Sequence, residues 1–337
     1  MNPIVLHTQR KKRLNPDGYT WHILSGYHSS YVGRICNMHL TNDFDSIDAV
    51  DNPLNYIFCG YNNGSKYIIG GRQVTGDNFL MISEDGAYWE SVPIPDFEWV
   101  FSIGWNGSYW LIAGKASDDS YIISWSADGI TWATPTAIPG YPRNINNNNT
   151  HWFIGISNVG IAKIPFTVAD WGNITYLSPG ISNVSTTVCS ASHMLVGDSN
   201  IVSGEPTIRY STDFINWNTA IYPSQFAAVD TFCRHGSLWF ATVHTGNPLN
   251  FALLKSTDGI NFTEVTVDSQ NTMTYMKIYS NGTKLVLTAR QDDGHVIYTS
   301  DDSGAIWIRH FIDYYPSDVY VGYCVPKIDP GGIPPIT

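Results

Sequence analysis

Ser256-Thr257-Asp258-Gly259-Ile260-Asn261-Phe262 decides the fold, because the chain repeats it. Upstream it reads Ser83-Glu84-Asp85-Gly86-Ala87-Tyr88-Trp89, then Ser126-Ala127-Asp128-Gly129-Ile130-Thr131-Trp132, then Ser211-Thr212-Asp213-Phe214-Ile215-Asn216-Trp217. Downstream it gains a residue, as Ser300-Asp301-Asp302-Ser303-Gly304-Ala305-Ile306-Trp307. Asn15-Pro16-Asp17-Gly18-Tyr19-Thr20-Trp21 is an early copy, and Asp170-Trp171 a collapsed one. From Asp85 through Asp128, Asp170, Asp213 and Asp258 to Asp302, the intervals are 43, 42, 43, 45 and 44 residues. A period of this size marks stacked supersecondary units, propellers among them. The interval from Asp17 to Asp85 is 68. If the ~43-residue period holds there, about 25 residues are inserted, and the expected place is a loop over 26–52.

One period reads as four short strands. Thr231-Phe232-Cys233-Arg234 meets a His235-Gly236-Ser237 turn, followed by Leu238-Trp239-Phe240-Ala241-Thr242. A Thr245-Gly246-Asn247-Pro248 loop leads to Phe251-Ala252-Leu253-Leu254, then the aspartate motif, then Phe262-Thr263-Glu264-Val265. The first hairpin turn recurs as Asn63-Gly64, Asn106-Gly107 and Asn281-Gly282, residues that tolerate the positive φ of tight hairpins. In the motif itself, the carboxylate can accept backbone N–H bonds within the turn, Gly permits the required φ, and the Trp folds a large apolar ring over the turn.

The motif resembles the Asp-box, the S-x-D-x-G-x-x-W repeat of sialidase-like β-propellers, and the resemblance spans nearly the whole chain. It implies an all-β, seven-bladed β-propeller of four-stranded blades, with each Asp-box in the hairpin between third and fourth strands. The ring would be closed by N- and C-terminal strands. Six blades are complete in sequence. The seventh would take outer strands from Ile4-Val5-Leu6 and Trp21-His22-Ile23-Leu24, and its inner strand from Val319–Val325; a six-bladed ring is the alternative. Residues 1–328 are read as one propeller domain and 329–337 as a Pro/Gly-rich tail. Asp17, Asp85, Asp128, Asp170, Asp213, Asp258 and Asp302, with Trp21, Trp89, Trp132, Trp171, Trp217 and Trp307, are read as structural clamps. A metal or catalytic role for these aspartates is disfavoured, since a catalytic site needs no such repetition.

Composition narrows the function. A net charge of −11 and a pI near 5.2 disfavour nucleic acid, because an acidic chain repels a phosphate backbone. No stretch has the length of a membrane span, and Met1 to Arg13 lack the apolar core of a signal peptide, so synthesis in a cytosol without membrane insertion is expected. Cys36, Cys59, Cys189, Cys233 and Cys324 are odd in number and lack CxxC spacing, which favours buried free thiols over disulfides or zinc. Asp43, Asp45, Asp48 and Asp51 crowd the expected insertion; a solvated acidic loop is preferred to a calcium site. No cofactor and no metal is expected.

A sialidase resemblance implies an arginine triad, a Tyr/Glu nucleophile pair and an acid/base Asp. The family's Phe/Tyr-Arg-Ile-Pro segment is missing, and Tyr141-Pro142-Arg143-Asn144-Ile145 is a poor substitute. Five glutamates exist, and no carboxylate pair stands out by spacing. Strand order puts the motif turns and the Asn-Gly turns on one face. The loops from second to third strand, and from fourth strand to the next blade, share the other face, where propellers usually bind. Candidate contacts there are Glu98, Trp99, Tyr141, Arg143, Asp118, Asp119, Asp230, His244, Asp292 and Asp293: aromatic rings beside carboxylates and amides suit a sugar. The array of Asp-box-like repeats resembles phage and large-virus structural proteins. It implies a non-enzymatic virion or phage-tail component recognising a host surface glycan or partner virion proteins. The alternatives are a glycoside hydrolase and a cytoplasmic assembly scaffold.

Overall fold

The computed structural model describes residues 19–27, 35–41, 47–52, 56–72, 80–84, 89–167, 172–181, 183–198, 208–245, 250–269, 273–291, 294–301, 303–311 and 319–326. Among them there is strand and turn and no helix. The chain opens with β1 (Tyr19–Tyr27), β2 (Ile35–Thr41) and β3 (Ile47–Asn52). Blade one is β4 (Tyr56–Asn62), β5 (Tyr67–Arg72), β6 (Leu80–Ser83) and β7 (Glu90–Ser91). Blade two is β8 (Phe97–Trp105), β9 (Trp110–Ala116), β10 (Tyr121–Ser126) and β11 (Thr136–Ile138). Blade three is β12 (Pro142–Asn147), β13 (His151–Ile156), β14 (Gly160–Pro165) and β15 (Thr175–Leu177). Blade four is β16 (Val184–Cys189), β17 (Met194–Asp198), β18 (Ile208–Ser211) and β19 (Asn218–Thr219). Blade five is β20 (Ala228–His235), β21 (Leu238–His244), β22 (Phe251–Ser256) and β23 (Thr263–Val265). Blade six is β24 (Thr274–Ser280), β25 (Leu285–Gln291), β26 (Gly294–Ser300) and β27 (Ile308–Phe311), followed by β28 (Val319–Pro326).

Each of these six blades is a four-stranded antiparallel sheet in chain order. A further four-stranded sheet is composite, in the order β28-β1-β2-β3. Its ends pair antiparallel, from Trp21 opposite Pro326 to Tyr27 opposite Val319. The inner strands β4, β8, β12, β16, β20, β24 and β28 pack side by side around the ring. The architecture is a β-propeller: six blades of consecutive strands, as the six-blade alternative had it, plus a sheet that joins the two ends of the chain.

The composite sheet corrects two expectations. The stretch 26–52, expected as a loop, carries two strands, β2 and β3. Trp21–Leu24 is not an outer strand either; it lies in β1, between β28 and β2. The copy at Asp17 therefore leads into a second strand rather than joining a third to a fourth. The connection in that place is β2 to β3, and it reads Thr41-Asn42-Asp43-Phe44-Asp45-Ser46-Ile47, parallel to Ser211-Thr212-Asp213-Phe214-Ile215-Asn216-Trp217. Asp43 to Asp85 is 42 residues, an interval like those of the later copies. Ile4-Val5-Leu6, Asp17, Asp85, Asp170, Trp171, Asp302 and the tail 329–337 lie outside the described residues.

Burial follows the blade. Second strands are sandwiched between neighbouring blades and read as near-continuous buried runs, such as Trp110-Leu111-Ile112-Ala113 and Trp152-Phe153-Ile154-Gly155-Ile156. Neighbouring sheets approach closely at small residues. A Cβ on Gly155 would lie 2.8 Å from Val184 Cγ1, and one on Gly197 would lie 2.7 Å from Val229 Cβ. Outer strands of the six blades span only two to four residues, which leaves little open edge for a foreign strand. Cys59, Cys189 and Cys233 are buried free thiols on equivalent inner strands, and burial pushes Cys189 and Cys233 up to about 12. Polar clasps also tie inner strands together. Asn144 Oδ1 accepts from Thr187 N at 2.9 Å while its Nδ2 donates to Thr187 O at 2.7 Å.

The Ser-x-Asp turns are self-contained. In blade two, Ser126 Oγ donates to Asp128 Oδ1 at 2.9 Å and accepts from Gly129 N at 2.8 Å. Asp128 Oδ1 also accepts from Ile130 N at 2.8 Å and Thr131 N at 2.7 Å. Asp213 and Asp258 repeat this pattern. The backbone donors hold Asp128 and Asp213 well below the usual carboxylate range. Gly129 has φ +78° and sits against Ile68 of the preceding blade. The equivalent Phe214 has φ +60°, a strained value for a bulky residue. Its ring stacks on Phe153 of the preceding blade at 5.2 Å, and this packing offsets the strain. Trp132 is buried over its turn, whereas Trp89, Trp217 and Trp307 are half-buried.

Candidate functional site

Hairpin order places the β5–β6, β9–β10, β21–β22 and β25–β26 connections on one face with the entries to the inner strands. On that face each inner strand of the six blades is interrupted by a bulge near its start. Register shifts fall between Ile57 and Cys59, Val100 and Ser102, Pro142 and Ile145, Val184 and Thr186, Val229 and Thr231, and Thr274 and Lys277. A bulge adds a residue and re-aims its side chain. The positions so created hold Phe58, Phe101, Arg143, Ser185, Asp230 and Tyr275.

Blades one to three carry a line of rings on this face. Phe58 lies 6.1 Å from Trp99 and 5.7 Å from Phe101. Phe101 lies 4.5 Å from Tyr141, which meets Tyr121 edge-on at 5.6 Å. Cations cap the line. Arg72 stands 4.6 Å and Lys115 5.2 Å from the Trp99 ring, and Arg143 stands 4.7 Å from the Tyr141 ring. Arg143 Nε also donates to Ser157 Oγ at 2.8 Å, fixing the guanidinium in place. Lys115 bonds Asp119 and lies 3.6 Å from Glu98, and the Asp119 contact raises the lysine's pKa. Neither Arg72 nor Arg143 pairs with a carboxylate among the described residues. Trp99 Nε1 is buried with no acceptor among them.

The fold thus gathers Glu98, Trp99, Asp119, Tyr141 and Arg143 into one patch. Asp118 is used locally: its Oδ1 accepts from Ser120 Oγ at 2.6 Å and Ser120 N at 3.0 Å, which lowers its pKa. Asp230 and His244 stand apart, on blade five, with His244 Nε2 4.0 Å from Asp230 Oδ1. Burial raises the Asp230 pKa, against the opposing charges of His244 and Lys277. Asp292 and Asp293 lie outside the described residues. Phe58, Arg72, Phe101, Lys115, Tyr121 and Tyr275 escaped sequence reasoning. All six sit inside strands or at their ends, where no loop signal marks them.

Blade six holds a Tyr–carboxylate pair. Tyr298 donates to Asp268 Oδ2 at 2.6 Å and accepts from Gln291 Nε2 at 2.8 Å. Tyr298 is 1% exposed, and burial with the Asp268 bond drives its pKa up. A nucleophilic phenol needs access and a lowered pKa, and this one has neither.

No protein-family model and no curated protein matches this sequence. Solved structures do share the fold. The GH74 xyloglucanase from Xanthomonas campestris is similar with a TM-score of 0.58 at 12% identity, over 77% of this chain and 46% of that one. The chain therefore spans under half the length of that xyloglucanase. The Swd1 (Cps50) β-propeller domain of Myceliophteria thermophila is similar with a TM-score of 0.55 at 11% identity, over 83% and 98% of the two chains. The computationally designed Ika8 protein gives 0.55 at 10%, over 87% and 88%. These neighbours are a xyloglucanase, a β-propeller domain and a designed protein, and at such identities the likeness concerns fold alone.

Proposed function

We propose that this protein is a non-enzymatic binding propeller that recognises a surface glycan through the bulged face of blades one to three. The supporting observation is the ring line from Phe58 to Tyr121, capped by Arg72 and Arg143 without carboxylate partners among the described residues. A guanidinium laid on a ring is pre-organised and offers its N–H edge to acceptors. Sugar hydroxyls and carboxylates supply such acceptors in dense array. The Ser-x-Asp turns are read as Asp-boxes confined to building the opposite face. The proposed setting is a virion or phage tail, which fits a chain rich in Asn, Trp and Tyr with 14% charged residues.

A hydrolase reading rests on Asp230, whose raised pKa suits a general acid. Four other carboxylates of this face are engaged: Glu98 and Asp119 with Lys115, Asp118 with Ser120, Asp268 with Tyr298. A glycan array run beside a reducing-sugar release assay tests the proposal. Binding without turnover, weakened about tenfold by Arg143→Ala, is the expected result. Sugar release that Glu98→Gln or Asp230→Asn abolishes would establish the hydrolase instead. Co-purification with capsid or tail proteins tests the setting.

A further inference from the structure

Blades five and six hold a second group of side chains on the same face, away from the ring line of blades one to three. Its centre is Tyr275, a bulky residue in the left-handed region at φ +52°. Such a conformation is strained for a tyrosine and persists where surroundings impose it. Here the bulge at the start of β24 imposes it. Tyr275 is also 52% exposed, so deep burial is not what the strain secures. The ring lies 6.0 Å from Phe251, which lies 5.0 Å from the His244 imidazole.

Beside these rings lies a carboxylate with one oxygen that has no partner among the described residues. His244 Nδ1 contacts the carbonyl oxygen of Thr245 at 2.9 Å. A carbonyl only accepts, so Nδ1 carries the hydrogen of this bond. His244 Nε2 faces Asp230 Oδ1 across 4.0 Å. The distance is too long for a hydrogen bond. Asp230 Oδ2 is buried with no hydrogen-bond partner among the described residues. Lys277, on the adjacent inner strand, offsets the carboxylate's charge.

We infer that Asp230, His244, Phe251 and Tyr275 form a second subsite, which takes an uncharged pyranose. One face of the sugar ring lies on Tyr275, and a sugar hydroxyl donates to Asp230 beside His244 Nε2. Apolar C–H faces stack on exposed aromatic rings, and sugar hydroxyls are donors suited to a carboxylate that is short of one. The inference rests on reading this face as the ligand face, but it uses none of the residues from blades one to three.

Saturation-transfer NMR with the methyl pyranosides of glucose, galactose, mannose and N-acetylglucosamine, each at about 10 mM to reach single-sugar affinities, tests it. At least one should receive saturation from the wild-type protein. Tyr275→Asn removes the ring yet tolerates the left-handed backbone, and should abolish the transfer. Tyr275→Phe keeps the ring and should keep the transfer, while Asp230→Asn should reduce it several-fold. Arg143→Ala should leave it unchanged. No transfer to any of the four sugars overturns the inference, as does transfer that survives Tyr275→Asn. Transfer lost only with Arg143→Ala would also overturn it, while leaving the proposed function standing.

Discussion

A short stretch of chain separates Asp213 from Asp230, yet the two carboxylates lie on opposite faces and in opposite states. Asp213 closes a hairpin: Ile215 N, Asn216 N and Ser211 Oγ all donate to its Oδ1. Those donors favour the ionised form and hold its pKa down. Asp230 sits in an inner-strand bulge, where burial pushes its pKa up and one oxygen has no partner among the described residues. The contrast separates acids that build the ring from acids that remain available to a ligand. Repetition marks the first kind, since Asp128 and Asp258 share the same bonds. The second kind does not repeat: the equivalent bulges hold Phe58, Phe101, Arg143, Ser185 and Tyr275.

The largest effect should come from removing a turn acid. Asp128→Ala leaves Ile130 N, Thr131 N and Ser126 Oγ without their acceptor and should cost about 1–2 kcal/mol, the scale of losing a capping side chain. Urea unfolding measures it, and an unchanged midpoint would erase the distinction between the faces. Ser126→Ala should cost about 1 kcal/mol in the same titration, because Gly129 N loses a buried acceptor.

Acid should discriminate next. The turn acids have folded pKa values below the unfolded value of about 3.9, so their stabilisation is complete above that pH and drains away as pH falls further. Asp128→Asn should therefore flatten the decline in stability between about pH 4 and pH 2. Asp230 has the opposite sign. Its folded pKa lies above the unfolded one, so its ionisation costs native stability as pH rises past about 4. Asp230→Asn should then be neutral or stabilising at pH 7, by less than about 0.5 kcal/mol in chemical denaturation, for a side chain that keeps some solvent. A clear loss of stability in that variant would make Asp230 another structural acid.

The ring was legible in the sequence because Ser-x-Asp hairpins are local. The turn's bonds join residues two or three apart, so spacing alone reveals them. The copy at Asp43 was missed because it begins with Thr41, has Phe44 at the glycine position and ends on Ile47 rather than Trp. The structure tolerates these changes: Phe214 takes the glycine position in blade four, and Phe262 replaces Trp in blade five. The Asp17 copy misled because it keeps the Gly and Trp while leading into β1. The candidate face was half legible. Loop polarity located Glu98, Trp99, Tyr141 and Arg143. Bulges, though, depend on register between strands, which no single segment encodes. Tyr275 and Arg72 were therefore invisible until the strands were paired.

The composite sheet bears on how the ring assembles. Until β28 has been made, β1 through β27 can form only an open arc, and β1 exposes the hydrogen-bonding edge that β28 will occupy. Docking of β28 is a long-range event joining distant parts of the chain, and such contacts are slow to form. Until it happens, the arc carries a sticky seam toward its own axis, a place for a chaperone to hold or a neighbouring chain to intrude.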